Sequence, residues 1–531
     1  MNHRIQNIDG NVVYRGHSTE YKEASAQYAS CLNIRSNLFA PAFIVQALHD
    51  TDVINTVRYA KRHHLAIAIR TGGHHYIGMS STGKQNIQLD VSLAYKTIDV
   101  SRLETKRLVT CGISLSLHEF VAMQRKNACF IPHGTCGGVH LGGHVQSGGL
   151  LFTSMFGCLG DHVKSFRIIT ADQQIRKVTR RSCPDLFYAV LGGSPGAYGV
   201  LTHVTLRAYK DVDYPFSVGM NPLYPYTARH LQALLDLMVD WTCDPNLPKN
   251  AGFLISTAAG GIAVDGRWYA KTEGEAKLRH HYFSQILRAS PFNVSVGDVS
   301  MDAVRAGAQA LSIARGLEYP ILSESKYRPL SILSECDVKL HAMREIELYP
   351  GATSWKRLML NTKERDLLKR RCFVERFMKK LSELDAQTEM KPIIQFMFFG
   401  NANSQFLRNQ NNGTSYSHRD VSMNISIVLP TQNETEGRFA ETFCQEMHAL
   451  MVGEHGAFDL DDVRFASFPY ALHNTAEEYN LDRMRKHYFD SERKYQKLLR
   501  IKRHVDPTKV FSANNFAIGG MRRVKEQHKN V

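Results

Sequence analysis

Hydrophobic residues in the first part of the chain follow two spacings, one typical of amphipathic helices and one typical of buried strands. The helical spacing predicts helices at 41–64, 116–127 and 185–191. Short apolar or alternating runs predict the strands between them. Together they indicate a mixed helix-and-sheet unit. Its strands are expected at 66–70, 85–91 and 106–112.

The pattern changes from about residue 208 onwards, where longer helical segments alternate with strand-like runs. Such alternation is typical of an antiparallel sheet covered by helices, so it predicts an α+β lobe able to shape a pocket. The helices are expected at 227–242, 272–288 and 437–451, and the strands at 252–257, 262–269, 393–399 and 421–428.

Length and composition narrow the class of protein. A chain of 531 residues exceeds one ordinary domain, and contents of 43% hydrophobic and 22% charged residues are those of a water-soluble globular protein. The sequence contains no apolar run long enough for a transmembrane helix, and its first residues lack the apolar core of a secretory signal. We therefore expect two lobes and a cytoplasmic location, with secretion as the alternative.

Charge and cysteine usage exclude other classes. The net charge of +15 is spread along the chain without a recognisable nucleic-acid-binding module, which favours a basic surface that attracts an anionic cofactor or substrate. The 10 cysteines are scattered singly and form no Cys-x-x-Cys pair, so no metal site is expected. We expect a small-molecule substrate and neither a nucleic-acid nor a membrane partner.

Glycine-rich segments are the clearest candidates for chemistry. Residues 133–149 contain seven glycines, three histidines and one cysteine, and residues 70–76 read Arg-Thr-Gly-Gly-His-His-Tyr. Glycine weakens helices and strands, but it lets the backbone approach a large or anionic ligand and offer it N–H groups. A third such segment lies at 192–199. These segments predict a redox cofactor held from two sides.

The first two loops resemble those of the berberine bridge enzyme-like FAD-linked oxidases, within the vanillyl-alcohol oxidase flavin fold. That family carries an Arg-Ser/Thr-Gly-Gly-His-x-Tyr loop and a later Gly-x-Cys-x-x-Val/Ile/Leu-x-x-Gly-Gly-His loop, and both are found here in that order. The resemblance covers roughly residues 40–518. It implies a PCMH-type FAD-binding domain at 1–207, a substrate-binding α+β domain at 208–451 and a C-terminal segment at 452–531 that returns to the FAD domain.

The resemblance also implies that FAD is attached covalently through His74 and Cys136, with His75 as the rival of His74. His144 is expected to cap or support the loop, and Arg70 to brace the loop or an anionic group of the flavin, or to form a surface salt bridge. His140 stands where the family usually has glycine, and Gly137 where it often has proline. The other residues expected to contact FAD are Thr71, Gly72, Gly73, Gly78, Val139, Gly142, Gly143, Gly199 and Val200.

In such a protein the flavin takes a hydride from the substrate and oxygen can then reoxidise it. Val139 occupies the position at which valine is associated with access of oxygen, which favours an oxidase. Tyr470 is the candidate base for the substrate's proton. Met397 stands where some relatives have a carboxylate, and Gln395 and Tyr416 are expected to line the pocket.

The leading interpretation is an oxidase that acts on an alcohol, a sugar or a secondary metabolite and releases hydrogen peroxide. The alternatives are a flavin dehydrogenase or oxidative cyclase on the same scaffold, and a catalytically idle flavin-binding relative. The intact His74 and Cys136 favour an enzyme, whereas Met397 and the altered segment around Tyr470 favour the idle relative. The substrate and the oligomeric state remain open at this point.

Overall fold

The computed structural model gives the fold of most of the chain. It describes residues 4–27, 40–75, 78–83, 85–149, 153–220, 223–225, 227–258, 261–277, 330–331, 334, 354–362, 371–388, 392–451, 463–464, 488–514 and 517–522. Within these residues no helix is long and apolar enough to cross a membrane.

A small sheet begins the fold, with helices α1 (Thr19–Ser25) and α2 (Asp50–Arg62) beside it. The sheet pairs β2, β4 and β3 in parallel and adds β1 antiparallel at one edge. The prediction of one helix over 41–64 is wrong in its first part, which forms β2. Ile44 and Val45 there have no exposed surface, and such continuous apolar runs are typical of strands buried on both faces. The strands are β1 (Asn11–Tyr14), β2 (Phe43–Gln46), β3 (Ile67–Arg70) and β4 (Ile87–Asp90).

A five-stranded antiparallel sheet follows, in the order β5-β6-β10-β8-β9. Its strands are β5 (Ile98–Asp99), β6 (Leu108–Gly112), β8 (Val163–Ile169), β9 (Ile175–Thr179) and β10 (Val200–Arg207), while β7 (Cys129–Phe130) pairs with β11 (Tyr209–Lys210). The helices of this part are α3 (Leu103–Lys106), α4 (Leu117–Lys126), α5 (Leu141–Ser147), α6 (Thr153–Phe156) and α7 (Pro184–Val190).

Helix α4 begins where the sequence pattern places it, because its first turn carries a complete capping box. The Ser116 hydroxyl accepts a hydrogen bond from Glu119 N at 3.2 Å, and the Glu119 carboxylate accepts one from Ser116 N at 2.8 Å. Two N–H groups that the helix cannot satisfy internally are thereby paired.

The third sheet is large, and its pairings in the described residues are all antiparallel. Helices α8 (Ala228–Cys243), α9 (Arg371–Gln387) and α11 (Glu434–Met451) contact one another, and α11 packs on the sheet. The predicted antiparallel sheet covered by helices is therefore confirmed, although most of the helix expected at 272–288 lies outside the described residues. The strands are β12 (Val218–Met220), β13 (Leu223–Pro225), β14 (Ala251–Ala258), β15 (Gly261–Trp268), β16 (Ser354–Thr362), β17 (Ile393–Phe398), β18 (Met423–Thr431) and β19 (Val463–Arg464).

A buried ion pair joins the two halves of the chain. The side chains of Asp161 and Arg419 are only 3% and 2% exposed, and the carboxylate accepts two bonds from the guanidinium, at 2.6 and 3.0 Å. Asn409 and Asn412 each donate a further side-chain bond to Asp161, at 2.8 and 2.7 Å. Four donors from the second half thus meet one carboxylate of the first. Helix α10 (Gln405–Arg408) ends one residue before this cluster.

The C-terminal residues lie against the first sheet. Helix α12 (Glu492–Val505) ends at a buried pair in which Lys502 donates to Asp506 at 2.6 Å. Beyond it, Val510 accepts a bond from Ile67 N at 2.7 Å, and Asn514 donates to the carbonyl of Met79 at 2.7 Å. The end of the predicted C-terminal segment therefore contacts the half that contains both glycine loops, whereas β19, also within that segment, pairs with β16 of the third sheet.

Candidate cofactor and active site

One cavity brings the glycine-rich segments together. Its walls come from both loops, from the turn before β10, from one face of the third sheet and from the C-terminal segment. The site therefore lies where the first half of the chain faces the third sheet. The sheet contributes Leu254, Ile393, Gln395, Met397 and Val428, and the C-terminal segment contributes Phe511, Ala513, Asn514 and Ala517.

The first loop follows β3 and is supported from below by Arg70. The guanidinium donates to Asp90 at 3.0 Å and to the carbonyl of Ala24 at 2.8 Å, and it does not line the cavity. A Cβ on Gly73 would lie 3.0 Å from Arg70 Nε, and the positive φ of 67° at Gly73 also favours glycine. Arg70 therefore braces the loop through a largely buried ion pair.

The second loop packs directly on the first. A Cβ built on Gly138 would lie 2.8 Å from His74 Nε2, and one on Gly72 would lie 2.8 Å from Cδ2 of His140. A Cβ on Gly142 would come within 3.0 Å of the Thr71 methyl group. These close approaches explain why glycines alternate with the functional side chains. They also bring His74 beside the turn that carries Cys136.

Gly137 has a local reason to lack a side chain. A Cβ at this position would lie 2.1 Å from the ring of His118, at the start of α4. The main chain there is fixed as well, because His118 N donates to Gly137 O at 3.0 Å. Proline, which the related loops often have here, would clash with that ring.

The cavity collects ten of the residues that the sequence assigns to cofactor binding. They are Thr71, Gly72, Gly73, His74, Cys136, Val139, Gly142, Gly143, His144 and Gly199. His75, Gln395, Met397 and His140 line it as well, and Tyr470 lies outside the described residues.

Four expected residues are not in the cavity wall. Arg70 lies beneath the first loop, as described above, and Gly78 closes a turn by donating to the carbonyl of His75 at 3.0 Å. Val200 is fully buried on the other face of β10, because its neighbours Gly199 and Leu201 face the cavity and side chains alternate along a strand. Tyr416 is likewise buried elsewhere, and its hydroxyl donates to the carbonyl of Val145.

Two histidines of the site, His75 and His144, are held in the neutral form. Burial lowers the pKa of both His75 and His144 to about 3, and proximity to His133 adds to the effect on His144. Each accepts a main-chain bond, His144 from Gly134 N at 2.9 Å and His75 from Met79 N at 3.0 Å. These bonds shape the loops, which matches the supporting role expected of His144.

The described lining contains no aspartate, glutamate, lysine, arginine or tyrosine. Its titratable groups there are the histidines and Cys136, so the wall offers imidazole, thiol and main-chain groups to a ligand. The N–H groups of Gly72 and Gly73 donate to no acceptor in the described part of the chain. Such groups suit the phosphates or the polar ring edge of a large cofactor.

Sequence reasoning assigned no cofactor-binding residue to the C-terminal segment. Ala513, Asn514 and Ala517 nevertheless line the cavity. Thr82 holds this wall by donating to the carbonyl of Ala513 at 2.6 Å. The resemblance of the tail to the family's closing segment was a usable signal, but periodicity in so short a stretch could not identify which residues face inward.

Comparison with known proteins relates this architecture to flavoproteins. Residues 41–179 match the family model described as FAD binding domain. The FAD-linked oxidoreductase ZEB1 of Gibberella zeae is 28% identical over 256 residues, which are 45% of this chain and 43% of that protein. The chain thus spans less than half of the length of this curated relative.

Solved structures match over nearly the whole chain. Physcomitrella patens BBE-like 1 has a TM-score of 0.70 with 16% identity, covering 96% of this chain and 97% of that one. Glucooligosaccharide oxidase from Acremonium strictum, described with a 6-S-cysteinyl, 8α-N1-histidyl FAD, has a TM-score of 0.69 with 18% identity over 96% and 97%. These likenesses confirm the predicted PCMH-type fold.

Proposed function

We propose that this chain, which has the FAD-binding domain, fold and relatives of the berberine bridge enzyme-like FAD-linked oxidoreductases, is an oxidase with bicovalently attached FAD. It takes a hydride from an alcohol, a sugar or a secondary metabolite and passes the electrons to oxygen, giving hydrogen peroxide. The observation that carries the proposal is that His74, Cys136 and Val139 share the wall of one cavity.

The residues present fit FAD. Gly72 and Gly73 keep N–H groups without acceptors in the described chain, and a Cβ on Gly143 would meet nothing within 4 Å. The loops therefore leave both donors and space on the cavity side. When bound, FAD supplies the hydride acceptor, and the protein determines its orientation and access.

The positions of His74 and Cys136 support attachment at two points. The 8α methyl group and carbon 6 both belong to the benzenoid ring of the flavin, so the two side chains would have to hold that end of the cofactor together. His74 lies against Gly138, only two residues from Cys136. His75 remains the rival for His74, since each ring has its Nδ1 bonded to the main chain, His75 to Met79 N at 3.0 Å and His74 to the carbonyl of Gly72 at 2.9 Å.

The first test of this function is simple. The purified protein should be yellow, and the colour should stay with the protein after precipitation by acid. Screening sugars, aromatic alcohols and alkaloid-like amines for peroxide release should then identify a substrate. Protein without flavin would contradict the proposal. Covalent flavin that is reduced by a substrate without peroxide release would favour a dehydrogenase, and covalent flavin that none of these substrates reduces would favour the idle relative.

Oxygen as the acceptor depends on Val139. This side chain lines the cavity, and its N–H donates to the carbonyl of Cys136 at 3.2 Å, which fixes it beside the flavin-linking cysteine. Replacing Val139 with Leu is expected to slow reoxidation of reduced flavin at least several-fold while leaving the anaerobic reduction rate unchanged, because the larger side chain narrows the oxygen path. Stopped-flow absorbance in air-saturated buffer measures both steps.

Val139→Ala is the matched control for this experiment and should reoxidise at least as fast as the wild type. A wild-type protein whose reduced flavin persists for minutes in air would instead support a dehydrogenase. The sequence assigns the proton acceptor to Tyr470, and Met397 lies in the cavity wall where some relatives have a carboxylate.

A further inference from the structure

We propose that His140 takes the proton from the substrate's hydroxyl group as the hydride leaves, so that it is a catalytic residue of the oxidase proposed above. The inference depends on that function, because a proton acceptor is needed only if a substrate is oxidised. It replaces Tyr470 in this role with a residue whose position the structure describes.

His140 immediately precedes α5, and hydrogen bonds hold its backbone on both sides. Its backbone forms an isolated bridge with Ser116, and the next two N–H groups donate to the carbonyls of Leu115 at 3.0 Å and Ile113 at 2.8 Å. On the other side, Val139 accepts a bond from Leu117 N at 2.8 Å. The ring therefore enters the cavity from a fixed backbone, next to the residue expected to admit oxygen.

The ring of His140 has hydrogen-bonding capacity that the protein does not use. Its Nδ1 is buried and has no hydrogen-bond partner in the described residues. By contrast, His144 accepts a main-chain bond, and both nitrogens of His133 are engaged, by Gly134 and Ser334. Nδ1 is enclosed by protein and cannot meet a ligand directly, but Nε2 is not enclosed and forms no hydrogen bond in the described residues, so it is the nitrogen that a substrate in the cavity can reach.

The surroundings keep this imidazole neutral. Burial lowers the pKa of His140 to about 4, and among nearby charges Lys96 and Arg70 lower it while Glu119 raises it. Lys96 and Glu119 pair with each other at 2.9 Å. At neutral pH the ring can therefore accept a proton. The ring lies against Gly72 of the first loop, and the described cavity wall contains no carboxylate or tyrosine to compete with it.

The proposed step balances as follows. The substrate's C–H bond breaks and its electron pair leaves with the hydrogen to FAD, while the O–H proton moves to the imidazole and a carbonyl forms. Oxygen then takes the two electrons and two protons to give hydrogen peroxide. Because its pKa lies well below neutral, His140 returns its proton readily, directly or through water.

The test compares His140→Gln and His140→Gly with the wild type, using a substrate found in the peroxide screen. Anaerobic flavin reduction should be slower by a factor of about a hundred to ten thousand in both variants. Added imidazole should restore part of the rate in His140→Gly, which has room for it, and not in His140→Gln. Covalent flavin content, measured by intact mass, should be unchanged.

The pH profile separates the two candidate bases. In the wild type the reduction rate should be level above pH 5 and fall as the pH decreases through about 4, where His140 becomes protonated. In His140→Gln the remaining reduction rate should not fall in this pH range, because the titrating imidazole is gone. A wild-type rate that rises toward alkaline pH, or a His140→Gln protein as fast as the wild type, would overturn the inference and leave the proposed oxidase intact.

A measurement without turnover completes the test. The absorbance spectrum of the bound flavin should change with a midpoint near pH 4 in the wild type, because a positive charge then appears in its cavity, and this transition should be absent in His140→Gln. An identical transition in both proteins would overturn the inference. Wild-type protein that binds no FAD would overturn both the inference and the proposed function.

Discussion

Denatured wild-type protein is expected to retain one FAD per chain, whereas a variant with both His74→Ala and Cys136→Ala is expected to release all of it. Each single variant should keep the flavin through the remaining bond, because His74 and Cys136 come from different loops that meet at Gly138. The intact mass of the wild type and of both single variants should exceed the sequence mass by one FAD. The intact mass of the double variant should equal its sequence mass.

Two controls make this experiment specific. Cys183→Ser removes an exposed cysteine far along the sequence from the loops and should not alter attachment. His75→Gln tests the neighbouring histidine and should also leave both bonds in place. If His75→Gln removed the second attachment and His74→Ala did not, the assignment to His74 would be wrong.

Replacing Asp161 with Asn is expected to lower the free energy of unfolding by about 3–5 kcal/mol. The variant keeps the shape of the side chain but leaves the guanidinium of Arg419 charged, 2% exposed and without its counter-ion. Denaturant unfolding followed by circular dichroism measures the change. Glu273→Gln, which removes an exposed pair with Lys277, is the control and should cost no more than about 1 kcal/mol.

The same pair predicts a pH dependence. Burial raises the pKa of Asp161, but the charge and hydrogen bonds of Arg419 outweigh it and the net direction is downward. An unfolded aspartate titrates near pH 4, so the contribution of the pair is complete above that value and is lost as the pH falls through the lower folded pKa. The stability difference between the wild type and Asp161→Asn should therefore shrink below about pH 4. A difference that stays constant there would show that the negative charge of Asp161 is not what stabilises the fold.

Local patterns predicted those parts of the fold that depend on local physics. Helix α4 lies within one residue of its predicted limits, because Ser116 and Glu119 form a cap from residues three positions apart. The prediction of a helix over 41–64 was wrong at β2. A strand that is buried on both faces has no alternation of polar and apolar residues by which the sequence could reveal it. The spacing of apolar residues alone could not distinguish an amphipathic helix from a fully buried strand.

The site was predictable as far as its motifs reached. Histidine and cysteine loops could be recognised from their own residues, and the structure brings them into contact. The sequence could not show which face of β10 points into the cavity. Nor could it place Tyr416, because a tyrosine in a loop can lie on either side of the cavity wall. Likewise, the brace between Arg70 and Asp90 joins residues 20 positions apart across a parallel pair of strands. No local pattern encodes such contacts.

The C-terminal wall of the cavity has a consequence for when the cofactor can be loaded. Asn514 holds the carbonyl of Met79, a residue 435 positions earlier, and Ala513 is tied to Thr82 in the same way. A ribosome therefore exposes both glycine loops long before it makes the segment that completes their cavity. During this interval the cavity lacks its C-terminal wall, so it can enclose flavin only after residue 514 has been synthesised. The proposed attachment of FAD is therefore expected to be completed after translation, and the yield of yellow protein should depend on flavin supply after translation more than during it.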